Sequence, residues 1–122
     1  MRRLVRLLPL FALALVGCGG NTLPPETDPN EGRTILTSTL DAWVAGKSPA
    51  DLKPTVVVDE DWSEGAKLTK YTIDAKHERA GVDLMLKAKL SLQTKDGRSQ
   101  ERSVNYIVGV TPAQTVVMRY NP

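Results

Sequence analysis

The chain has 122 residues, 16 basic and 14 acidic side chains, a formal net charge of +2, one cysteine and one histidine. A single cysteine excludes an internal disulfide, and a lone histidine without a nucleophile makes neither a triad nor a metal site. No clustered positive face marks a nucleic-acid partner.

Arg2, Arg3 and Arg6 precede an apolar run from Leu7 to Val16. These are the n-region and h-region of an export signal. A membrane-spanning helix needs about 20 apolar residues. This run has 10 and includes Pro9, so it is too short to span. It closes on Leu15-Val16-Gly17-Cys18, which resembles the bacterial lipobox. The resemblance implies that signal peptidase II recognises Leu15, Val16 and Gly17 and cuts before Cys18. It implies that the Cys18 thiol carries diacylglycerol, with an added acyl chain such as palmitate, so that the lipid holds the protein on a membrane. One acyl chain binds marginally, whereas two anchor stably. Gly19, not Asp, follows the cysteine. By the family's sorting rule this implies the periplasmic side of the outer membrane in a cell with two membranes. Removal of residues 1–17 would leave 105 residues with 13 basic and 14 acidic side chains, a net charge of −1.

Residues 18–32 hold the cysteine and then Gly, Asn and Pro with almost no apolar side chain, which reads as a flexible tether. A single domain is expected over 33–122. Leu36, Leu40, Trp43 and Val44 recur at helical spacing and predict a helix over 33–45, with Gly46 as the residue that ends it. Ser48-Pro49-Ala50-Asp51 predicts a short helical turn to Leu52. Strands are expected at Val56–Val58, Ala66–Lys76, Val82–Gln93, Val104–Val110 and Thr115–Tyr120. The alternation from Val82 to Gln93 is the clearest of these, one face apolar and the other polar.

Parity sets the connection between the third and fourth strands. A three-residue loop, Lys95–Gly97, pairs Ala88 with Val104, Leu86 with Tyr106 and Leu84 with Val108, and places Gly97 at the left-handed position. In the second strand Leu68 is even, whereas Tyr71, Ile73 and Ala75 are odd. Either a bulge near Thr69-Lys70 reconciles them or Leu68 lies outside the sheet. The last turn is expected at Thr111-Pro112-Ala113, which leaves Val117 on the outer face.

The fold class is therefore α+β: one amphipathic helix on a curved four- to five-stranded antiparallel sheet. This order resembles the cystatin-like or NTF2-like arrangement. The cystatin Gln-x-Val-x-Gly loop is absent, so no function carries over.

Asp59-Glu60-Asp61-Trp62-Ser63-Glu64 is the densest polar cluster. As a calcium loop it fails, with Glu64 where Gly is needed and Lys70 where a bidentate Glu is needed. It reads instead as a solvated acidic connection with Trp62 folded back under the helix. His77 falls in an expected turn at Lys76–Arg79. Met85, Ile107 and Val117 form a small apolar group on the outer face, and with Trp62 they are the candidate contact residues. No catalytic set, metal set or cofactor motif stands out. The expected function is a membrane-anchored, non-enzymatic binding or protein-interaction module of the cell envelope, with another envelope protein as partner. The alternative is a small-ligand carrier, or more remotely an enzyme, with a pocket between helix and sheet lined by Trp43, Tyr71 and Tyr106.

Overall fold

A computed structural model describes residues 25–120; the expected signal, the lipobox and Cys18 lie outside the described residues. The elements run α1 (Pro29–Val44), a 3₁₀ turn (Pro49–Leu52), β1 (Val56–Val58), α2 (Glu60–Ser63), β2 (Lys67–Ala80), β3 (Asp83–Gln93), β4 (Ser99–Val110) and β5 (Thr115–Tyr120). One five-stranded sheet has the order β1-β5-β4-β3-β2. Helix α1 packs across one face, and the architecture is α+β. The sheet is mixed, not purely antiparallel: β1 pairs with β5 in parallel, Val57 beside Val117.

Helix α1 begins at Pro29, four residues before the expected start. Asp28 caps it, accepting from the Glu31 amide at 2.9 Å, and Pro29 supplies a preset φ where no amide partner is needed. Thr27 is buried and its amide donates to the Val82 carbonyl at 2.8 Å, so the ordered domain reaches into what composition alone assigns to the tether. The other end follows expectation. Gly46 has φ +89°, its amide donates to Trp43 O, and the Lys47 amide donates to Ala42 O, closing the last turn as a Schellman motif.

The β3–β4 register matches the parity argument: Leu84 faces Val108, Leu86 faces Tyr106 and Ala88 faces Val104. Thr94 and Arg98 close the hairpin, and Gly97 has φ +89°. In β2 the bulge falls at Thr69, because Leu68 pairs with Leu92 and Lys70 with Ser91. Leu68 is thereby buried on the same face as Leu92. A second irregularity leaves Asp74, Ala75 and Lys76 opposite Lys87 alone. Arg33 from α1 braces it, donating to the carbonyls of Asp74 (2.9 Å) and Ala75 (3.0 Å). Braced there, β2 continues to Ala80. His77 is therefore an exposed strand residue opposite Leu86, not a turn residue, and the turn is Gly81-Val82 with Gly81 at φ +68°.

The core joins Leu36, Leu40 and Trp43 of α1 to Leu84, Leu86, Leu90, Tyr106, Val108 and Val117 of the sheet, each at most 3% exposed. Burying a leucine of this kind contributes about 1.5–3 kcal/mol.

Candidate functional site

Among the described residues two places carry unusual chemistry: a buried polar cluster at one end of the core, and an apolar region on the open face of the sheet.

Strands β1 and β2 are opposite edges of the sheet, so residues 59–66 must cross from one to the other. They do so beneath the core. Trp62 stacks on Trp43 with ring centroids 4.9 Å apart and planes 4° from parallel. Each indole N–H is satisfied: Trp43 donates to Ala66 O and Trp62 to Lys47 O, both at 2.9 Å. Trp62 is an anchor under the helix, as expected, and is buried. A recess of about 710 Å³ opens beside the pair between Gly46, Lys47 and Leu68. Of the residues expected to line a pocket between α1 and the sheet, Trp43 borders this recess, whereas Tyr106 is buried in the core.

Asp59 is not solvated; it is 2% exposed. Its Oδ1 caps α2, accepting from the Trp62 amide at 3.3 Å, and also accepts from Arg119 Nη2 at 2.8 Å. Its Oδ2 accepts from the Tyr106 hydroxyl at 2.5 Å. Arg119 Nη1 donates to Asp61 Oδ2 at 2.8 Å, and its guanidinium carbon lies 5.7 Å from the Tyr106 ring centre. Arg102 adds a looser pair with Asp61 at 3.7 Å. Burial, with the Asp59 charge behind it, pushes the Tyr106 hydroxyl far above the usual tyrosine range. Burial alone would lower the Arg119 guanidinium, but its hydrogen bond to Asp61 and the negative charge around it outweigh that and raise it. Asp59 is thus an inward carboxylate whose two oxygens are already committed to three donors. That makes it a brace between α2, β4 and β5.

Arg119 faces inward because of the last turn. The loop spans four residues, Thr111–Gln114, closed by reciprocal bonds of 2.9 and 3.2 Å between Thr111 and Gln114. Val110 therefore pairs with Thr115, and Val108 with Val117. A one-residue slip in a strand exchanges its two faces. Val117, expected outside, is 1% exposed in the core, and Met118 takes the outer position.

The outer apolar region is larger than expected as a result. One row crosses four strands: Met85 beside Ile107, Ile107 beside Met118, and Met118 beside Val58. Val116 and Val56 pair in the next row, and Tyr120 lies beyond Met118 on the same face. Val58, Tyr120, Met118 and Val56 are 49%, 41%, 39% and 37% exposed. Among the described residues no element covers this face. Farther along β3 the same face turns polar, with Lys87, Lys89, Ser91 and Gln93.

Among the described residues no group of His, Cys, Asp and Glu is arranged to hold a metal ion, and no helix is long and apolar enough to cross a membrane. The chain matches no family model, no curated protein and no solved structure.

Proposed function

We propose that the protein is a lipid-anchored component of the bacterial cell envelope whose folded domain is a non-enzymatic binding module. Its contact surface is the apolar part of the outer sheet face. The row Met85–Ile107–Met118–Val58 carries this reading. Contiguous apolar surface on a small domain marks a contact site more often than scattered single residues do. The anchor rests on Leu15, Val16 and Gly17 before Cys18, directly after a ten-residue apolar run. Gly19 favours the periplasmic side of an outer membrane. The committed oxygens of Asp59 favour binding over catalysis. The helix leading into the β2–β5 meander supports a cystatin-like or NTF2-like arrangement, with the parallel edge strand β1 as this chain's own departure.

The test has two parts. Mass spectrometry of the purified protein should find diacylglycerol on Cys18, and Cys18→Ser should release the protein from the membrane fraction. In isolated native membranes, Met118→Cys should then react with a water-soluble maleimide at least tenfold more slowly than Ser38→Cys on α1. Equal rates would overturn the contact surface while leaving the anchor intact.

A further inference from the structure

We propose that the partner of the outer apolar face is the bilayer itself: the tether end of the sheet lies on the surface of the membrane that holds the Cys18 lipid. This rests on the anchored reading above and names what the surface meets.

The first ground is where the chain enters the fold. Thr27 is fixed to the end of the sheet, its amide on Val82 O at 2.8 Å and its hydroxyl oxygen accepting from the Val110 amide at 3.2 Å. Val82 immediately precedes β3, and Val110 is the last residue of β4. The apolar rows begin at that same end: Val56 and Val116 lie in the row of Gly109, and Val58, Met118, Ile107 and Met85 in the next but one along each strand. Measured along β4, the two rows thus lie one and three residues from Val110, about 3 and 10 Å at roughly 3.3 Å per strand residue.

The second ground is length. Eight residues, Gly19–Glu26, separate Cys18 from Thr27. Even fully extended they reach only about 30 Å. Strand β3, with 11 residues, is itself about 36 Å long. A lipid on Cys18 therefore keeps this end of the sheet closer to the headgroups than the domain is long. Tethering at such range supplies a high effective concentration of bilayer, so weak intrinsic affinity is enough to seat the face.

The third ground is charge. The outer face nearly balances Lys67, Lys70, Lys76, Lys87 and Lys89 against Asp74, Glu78, Asp83 and Glu101. Attraction to anionic lipid does not drive the seating; burial of valine and methionine side chains does, with Tyr120 suited to the headgroup boundary by its apolar ring and polar tip. The seating is accordingly insensitive to salt and independent of anionic lipid.

The experiment uses the full-length lipidated protein in vesicles of phosphatidylcholine and phosphatidylethanolamine. Cys18 is the only cysteine, so once its thiol is acylated an introduced cysteine is the sole site for a fluorophore. Probes go at Val58→Cys and Met118→Cys, with Ser38→Cys on exposed α1 as reference and circular dichroism to verify each fold. Brominated lipid should quench the probes at 58 and 118 at least threefold more than at 38, unchanged in 0.5 M salt. Met118→Lys should bring quenching at 58 down to the level at 38. Equal quenching at all three sites, with the protein still on vesicles, overturns the seating and leaves the anchor standing. Protection of 58 and 118 from aqueous iodide without quenching by brominated lipid overturns it in favour of a protein partner or a second copy. No acyl mass on Cys18 and no vesicle binding overturns the anchored reading and this inference with it.

Discussion

Asp59 divides two oxygens among three donors, and Arg119 divides its fork between two carboxylates. Neither side chain can lose its partner cheaply, because the survivor keeps a buried charge that water no longer solvates. Arg119→Met should lower unfolding stability by about 3–5 kcal/mol in urea titrations. Asp59→Asn combined with Arg119→Met should cost less than the sum of the single changes by about 0.5–3 kcal/mol, since the second substitution removes the charge stranded by the first. An Arg119→Met protein within about 1 kcal/mol of the parent would mean that the cluster is solvated and braces nothing. The sequence hides this cluster. Asp59 and Asp61 sit in an acidic run that looks exposed, and Arg119 sits in a strand whose even positions, Val116, Met118 and Tyr120, look like the buried set. The readable signal was loop length: the parity count that correctly pairs Leu86 with Tyr106, applied to a four-residue loop after Val110, turns Val117 and Arg119 inward. What no count supplies is that Asp59 comes from far along the chain to neutralise Arg119.

At the scale of elements, the helix–sheet contact depends on a close approach near the start of α1. A Cβ at Gly32 would lie 2.6 Å from Leu84 Cδ2 and 3.3 Å from Thr27 Cγ2. Leu84 is fully buried, so it cannot swing aside. Alanine in place of glycine gains about 1 kcal/mol of helix propensity, whereas overpacking a filled core costs about 1–3 kcal/mol. Gly32→Ala should therefore destabilise the protein on balance, read as a lower midpoint in thermal unfolding. A raised midpoint would show that α1 rides loosely over β3. This contact also explains why the start of the helix escaped the periodicity. Its first turn, Pro29–Gly32, carries no large apolar residue and packs through backbone, so composition places it in the tether. Where packing runs through side chains at regular spacing, as from Leu36 to Trp43 and from Leu84 to Leu92, pattern and structure agree. The parallel β1–β5 pair was illegible for a different reason. Three valines read as a strand, but nothing local says which edge of the sheet they join.

For the molecule as a whole, two tyrosines tie α1 and α2 to the sheet through protonated hydroxyls, and stability at high pH follows from that. Tyr71 donates to Asp41 Oδ1 at 2.6 Å, and burial together with that carboxylate pushes its hydroxyl up to about 12. Tyr106 is raised further, first by burial and then by Asp59. In the unfolded chain both ionise near pH 10. Above that pH the unfolded chain gives up protons that the folded molecule retains, so it binds fewer protons and stability falls as pH rises. Each tyrosine's contribution is fully present below about pH 10. That of Tyr71 is lost as pH climbs to about 12, while that of Tyr106 continues to drain beyond it. Tyr71→Phe should flatten part of this decline: its urea midpoint should fall less between pH 10 and 12 than that of the parent. All other groups are common to both proteins and cancel in the comparison. Parallel declines would mean that the Tyr71 hydroxyl ionises as freely on the folded surface as in the unfolded chain, and that the bond to Asp41 does not tie α1 to β2.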